Sequence, residues 1–167
     1  MNKKVFQLLV DNTSGVLSRI SGLFSRRGYN IESITAGVTA DPRFTRITIV
    51  TSGDDEILDQ IEKQVTKLVD VRSIKVLEPE ESVYRELCLV KVEVSPQDRD
   101  SLIVLSSVYH AKIIDVSSKS IIIELVDDQP TVERFLALLE GYTILELART
   151  GITGLSRGFK DVVWLDN

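Results

Sequence analysis

The sequence predicts an α+β chain built from two successive βαββαβ units. Three observations predict it. Short runs rich in β-branched residues are interspersed with longer stretches whose apolar residues recur at helical spacing. The order of these stretches repeats after residue 80. A charged, proline-bearing segment, Glu78-Pro79-Glu80-Glu81-Ser82, separates the two halves.

In the first half, residues 4–10 are nearly all apolar, as expected of a central, well-buried strand. A polar turn follows. Val16, Leu17, Ile20, Leu23 and Phe24 then fall on one helical face, and Gly28 supplies the left-handed residue that ends a helix. Residues 30–38 alternate as a strand, Asp41-Pro42 marks a turn, and residues 45–51 (TRITIVT) are β-branched at all positions but Arg46. Gly53-Asp54-Asp55 caps a second helix with Ile57, Leu58, Ile61, Val65, Leu68 and Val69 on its core face, and residues 71–77 close the unit as a strand.

The second half repeats the order. Residues 84–94 form a strand. A helix starts near Pro96 and carries Leu102, Ile103, Leu105, Val108 and Tyr109. Residues 111–116 and 120–126 are two strands. Asp127-Asp128 caps a helix over 131–139, which Gly141 breaks, and 142–148 is the last strand. Two units of this order are ferredoxin-like. The expected division is 1–78, a linker at 79–83, 84–160, and a tail at 161–167 holding the single tryptophan, Trp164. Helices cover one sheet face; the other is expected to be wet or covered by a partner. Units this small bury modest cores, so association of subunits is expected.

Composition narrows the function. The 167 residues are 43% hydrophobic and 27% charged, with net charge −5 and pI about 5.0. Residues 1–80 carry 11 basic and 11 acidic side chains, residues 81–167 carry 9 and 14, so neither half has the basic excess that nucleic acids require. RNA-binding domains of this element order place aromatics on the third strand, and TRITIVT has none. No run reaches the roughly 18 apolar residues of a membrane helix. Met1-Asn2-Lys3-Lys4 leads straight into a strand, without a signal-peptide core. The lone cysteine, Cys88, sits mid-strand like a buried small hydrophobe, and a cytoplasmic protein is expected. The single histidine, His110, has no acidic or thiol partner nearby in sequence, and no HExxH, GxSxG or Walker-type motif occurs. Catalytic and metal-ligating residues are therefore expected to be absent.

The weight falls on the turn DNTSGVLSRI, residues 11–20. A helix starting near Ser14-Gly15 leaves its first amides without helical partners and positively polarised. Gly15 would let a ligand approach the backbone. Asn12, Thr13 and Ser14 offer side-chain oxygens, and Asp11 a carboxylate for an ammonium group. A zwitterion suits such a turn; so does plain helix capping by Asn12, Thr13 or Ser14.

The stretches NTSGVLSRISGLFSRRGYNIESITAG, RITIVTSGD, QIEKQVTKLVDV, IIDV and GLSRG resemble the small, regulatory subunit of acetohydroxyacid synthase (acetolactate synthase), whose first half is an ACT domain. The resemblance covers essentially the whole chain. It implies a non-catalytic subunit that activates a catalytic large subunit and confers feedback inhibition by valine or another branched-chain amino acid. Thiamine diphosphate, FAD and magnesium would belong to that partner, and this subunit would bind no cofactor. It further implies a homodimer with an effector site between two ACT domains, with Asn12, Thr13, Ser14, Gly15, Val16 and Leu17 from one subunit and Asn30 and Ile31 from the other. The role expected of the second domain is dimerisation and help in activation. Arg149, Arg157 and Lys160 are either partner-facing or simply solvated. The alternatives are a free-standing ACT-type amino-acid sensor acting on another enzyme or regulator, and a small enzyme with a cryptic site.

Overall fold

The computed structural model describes residues 2–159 and Val162, so the tail expected at 161–167, Trp164 included, and Lys160 lie outside the described residues apart from Val162. The elements are β1 (Asn2–Asp11), α1 (Val16–Arg27), β2 (Ser33–Val38), β3 (Phe44–Gly53), α2 (Asp55–Val65), β4 (Val71–Val76), β5 (Ser82–Glu93), α3 (Arg99–Val108), β6 (Lys112–Val116), β7 (Ser120–Asp127), α4 (Gln129–Leu138), β8 (Ile144–Arg149) and β9 (Thr153–Ser156). A short 3-10 turn, Pro79–Glu81, stands where a linker was expected and runs directly into β5. Two compact units result: Met1–Val83 with Gly151–Asn167, and Tyr84–Thr150. Each is a βαββαβ fold. Among the described residues no helix is long and apolar enough to cross a membrane.

In the first unit the sheet order is β2-β3-β1-β4, with antiparallel neighbours. The alternation along β1 divides its side chains. Phe6, Leu8 and Val10 join Ile47 and Ile49 of β3 under Val16, Ile20, Leu23 and Phe24 of α1 and Leu58, Ile61 and Val65 of α2. The helix ends follow local chemistry. Gly28, at φ 69°, closes α1 while the Tyr29 amide reaches back to Phe24, and the Asp54 carboxylate caps α2 through the Ile57 amide at 2.9 Å. Leu68 and Val69, read from the sequence as helical, lie in the turn beyond α2, and Val69 is exposed.

The opposite sheet face departs from expectation. Val5, Gln7 and Leu9 of β1 and Thr48 and Val50 of β3 are buried there as well. Residues 151–156, expected with the second domain, cross this face as a strap. Ser33 of β2 lies against Gly151, the Thr35 hydroxyl donates to the Ile152 carbonyl (3.2 Å), the Gln7 amide donates to the Gly154 carbonyl (2.5 Å), and Lys75 of β4 donates to the Ser156 hydroxyl (2.9 Å). The strap thus runs from the β2 edge across β1 to β4. Four residues at about 3.3 Å each match the width of three interstrand spacings of about 4.8 Å. Its anchors are mostly backbone carbonyls, which a sequence pattern does not mark. The Arg157 amide continues the attachment by donating to the Glu81 carbonyl at 2.7 Å.

The second unit has strand order β6-β7-β5-β8. Cys88, Val90 and Val92 of β5 pack with Ile121, Ile123 and Leu125 of β7 and with Leu102, Val132, Phe135 and Leu139. Asp128 caps α4 through the Thr131 amide at 2.8 Å, as the sequence suggested. Helix α3 starts three residues later than expected, because Ser95 and Asp98 close a turn after Pro96. Its Ile103 and Val108 are exposed rather than core-facing, and Leu102 and Ser106 take the buried positions. A buried charge, Glu86, is satisfied by both guanidinium arms of Arg149, which also meets Glu133. Arg149 is thereby committed inside its own unit.

Candidate functional site

Strand β1 delivers the chain to the N-terminus of α1 at the end of the first unit's sheet. Beside this junction lies a cleft of about 300 Å³ lined by Val10, Asp11, Asn12, Thr13, Gly15, Val16, Leu17, Ser18, Thr45 and Ile47. Its base is apolar, since Val10, Val16 and Ile47 are buried core residues. Asp11, Asn12, Thr13, Ser18 and Thr45 add polar side chains to its lining. Leu17, which periodicity places on one helical face with Val16, Ile20, Leu23 and Phe24, is 49% exposed at the cleft.

Helix α1 begins without any side-chain cap, and its first turn holds no acidic residue. Gly15 occupies the cap position at φ 85°, a conformation that suits glycine, and its carbonyl accepts the first helical bond from Arg19 at 3.0 Å. The amides of Val16, Leu17 and Ser18 therefore have no helical partner, and the positive end of the helix dipole is not offset by an internal acid. Helices α2 and α4 instead start on a capping aspartate, Asp54 or Asp128. The capping alternative for Asn12, Thr13 and Ser14 is not what the chain adopts.

The flanking side chains are already engaged. The Asn12 amide donates to the Pro42 carbonyl at 2.9 Å, and its oxygen accepts from Thr45 at 3.2 Å, tying the turn to the start of β3. Asp11 is held by both Arg72 arms at 2.7 Å each. Arg19 reaches back along α1, meets Asp70 at 2.5 Å and donates to the Ser14 carbonyl at 3.4 Å. That guanidinium holds the Asp70 carboxyl below the usual carboxylate range.

Of the residues expected at the site, Asn12, Thr13, Gly15, Val16 and Leu17 line the cleft, and Ser14 is not in its lining. Asn30 and Ile31 of the same chain are not in its lining. Asn30 is exposed and its carbonyl accepts from Thr51, while Ile31 rests partly against its own unit's core. Sequence reasoning missed Val10, Thr45, Ile47 and Ser18. The strand register was the available signal, because it places Thr45 opposite Val10 at the end of the sheet.

Elsewhere, the Cys88 thiol is buried and its pKa is pushed up by that burial, which makes it a poor nucleophile. His110 ends α3 at φ 54°. Among the described residues no group of three His, Cys, Asp or Glu side chains converges on a point.

Two family models match the chain: an acetohydroxyacid synthase small subunit-like ACT domain over residues 6–73, and the small subunit of acetolactate synthase over residues 85–158. The probable acetolactate synthase small subunit of Methanothermobacter thermautotrophicus is 44% identical over 155 residues, 92% of each chain. The acetolactate synthase isozyme 3 small subunit of Escherichia coli is 43% identical over 159 residues, covering 95% of this chain and 98% of that one. The crystal structure of the Thermotoga maritima acetolactate synthase small subunit superposes with a TM-score of 0.88 at 38% identity, covering 95% of this chain and 99% of that chain. The cleft at the head of α1 therefore lies in an ACT domain, and the chain belongs to the acetolactate synthase small-subunit family.

Proposed function

We propose that this chain is the regulatory, non-catalytic subunit of a cytoplasmic acetolactate synthase, raising the activity of a thiamine-diphosphate-dependent catalytic subunit and making it sensitive to valine. The observation that carries the effector reading is the uncapped start of α1, opening on a cleft with an apolar base. An amino-acid carboxylate meets the free amides of Val16 and Leu17 beside Gly15. An isopropyl group fits against Val10, Val16, Leu17 and Ile47. Because Asp11 is bound by Arg72, the ammonium group goes to carbonyls or to Asn30 of a second copy, with Ile31 of that copy closing the apolar side. Thiamine diphosphate, FAD and magnesium reside on the catalytic partner. A ligand shared by two copies binds one arrangement of them better than another, and that difference is the coupling free energy of the feedback.

Valine at 100 times its dissociation constant should stabilise the chain by about 2.7 kcal/mol in a thermal scan. Gly15→Asp should abolish that shift and the valine inhibition of acetolactate formation, because its carboxylate competes for the same amides. The fold should persist: the new Cβ meets only the end of the Arg19 side chain, at 2.9 Å, and aspartate tolerates positive φ better than most residues. A normal valine response in that variant would place the effector elsewhere. No rise in activity when this chain is added to the catalytic subunit would favour a free-standing sensor.

A further inference from the structure

The α1 start combines two features that oppose each other. Its dipole favours an anion, yet the nearest side-chain charge is the Arg19 guanidinium, which lies against Gly15 with Nη1 2.9 Å from the point where a Cβ would be. A cation at that pole is unfavourable alone. It is neutralised by Asp70, whose carboxylate binds Arg19 Nε and whose carbonyl accepts the Asp11 amide at 2.9 Å. Arg72, two residues on, grips the Asp11 carboxylate. An acid is thus present near the helix start, but it is held behind Arg19 and away from the amides. In α2 and α4 the corresponding acid sits on an amide and closes the helix.

We propose that Arg19 and Asp70 are positioning residues of the effector cleft. Their pair clamps the Ser14–Gly15 turn to the start of β4, holds Gly15 in its left-handed conformation, and keeps the Val16 and Leu17 amides open to an amino-acid carboxylate. This rests on the effector reading above. The pair touches no part of the ligand; it acts by fixing the turn before binding, so that less ordering is left to be done on association.

The test uses the full chain with its catalytic subunit, comparing wild type, Arg19→Gln, Asp70→Asn and Asp70→Glu. The readouts are the valine concentration for half-maximal inhibition of acetolactate formation, the activity without valine, and Tm without valine. Arg19→Gln and Asp70→Asn should each raise the half-maximal valine concentration about tenfold, the equivalent of about 1.4 kcal/mol. Activity without valine should stay at the wild-type value, and Tm without valine should fall by no more than about 4 °C, the scale of an exposed ion pair, because the Arg19 side chain is half exposed. Asp70→Glu, which keeps the charge, should recover most of the sensitivity. An unchanged half-maximal concentration in both neutral variants, against a responsive wild type, overturns the positioning role alone. Loss of activation, or a fall in Tm well beyond that of an exposed ion pair, in parallel with sensitivity overturns it in favour of a general structural role. A wild type indifferent to valine, leucine and isoleucine overturns the effector reading and this inference with it.

Discussion

Gly151→Ala tests whether the C-terminal strap is part of the ACT unit. Gly151 has φ 80°, and a Cβ there would stand 2.4 Å from Ser33 Cβ and 2.7 Å from Ser33 Oγ. Carbon atoms in contact sit at about 3.5–4.0 Å, so the deficit exceeds an ångström. Turning the Ser33 side chain does not help, because its Cβ is itself the obstacle. The left-handed backbone alone costs about 1–2 kcal/mol for an alanine. If the strap also lifts, Ile152, 4% exposed, loses burial worth about 1.5–3 kcal/mol, and the Gln7 and Thr35 hydrogen bonds go with it at about 1 kcal/mol each. A total loss of about 3 kcal/mol or more is expected, a fall in Tm on the order of 10 °C for a unit of this size. Urea titration of the full chain gives the energy, and hydrogen exchange at residues 5–9 and 33–37 locates it. Ser33→Gly added to Gly151→Ala removes the steric part and should recover at least half. A Gly151→Ala chain within about 0.5 kcal/mol of wild type, or no coupling to Ser33, would refute the strap.

Two further outcomes follow from charge. Arg149→Met leaves Glu86, whose side chain is 1% exposed, without its partner and should cost about 3–5 kcal/mol in urea, while Glu86→Gln in the same chain recovers most of it. Glu133→Ala, removing the exposed arm of that triad, should cost under about 1 kcal/mol. Acid should act through depressed carboxyls: Arg19 lowers Asp70, Arg43 lowers Asp41, Thr131 lowers Asp128 and Lys3 lowers Glu32. A carboxyl depressed in the folded state contributes stability above its unfolded pKa of about 4, and that contribution is lost as pH falls through the folded value. The urea midpoint should therefore hold between about pH 5 and 8 and drop below about pH 4; a midpoint unchanged at pH 3 would contradict these pairings.

How much of this was legible in the sequence depended on whether a feature is local. The βαββαβ order could be read because period and punctuation are carried by neighbouring residues: TRITIVT for β3, Gly28 for the end of α1, Asp54 and Asp128 for two caps. The strap could not. It is held by the carbonyls of Ile152 and Gly154, groups that every residue possesses, across more than a hundred positions of chain. For a related reason periodicity alone grouped Leu17 with the buried residues of α1. A 3.6-residue period cannot separate an apolar residue facing the core from one at the rim of a cleft, and only the sheet end at Val10 and Thr45 makes the distinction.

The site shows the same division at finer scale. NTSG announced a helix start with either a cap or a ligand, and these differ only in where one oxygen points. What decides between them is non-local: Asn12 is drawn off to Pro42 and Thr45 on the β3 side, and Asp11 and Arg19 to Arg72 and Asp70 on the β4 side. Asp11 and Asn12, which might have capped α1, are held by neighbouring strands and loops instead. The structure on both flanks thus withdraws two of the groups that compete for the amides at the head of α1. A substitution on β4, far along the chain from the turn, is therefore expected to change effector affinity, while a conservative change within the turn that preserves the backbone, such as Thr13→Ser, is not.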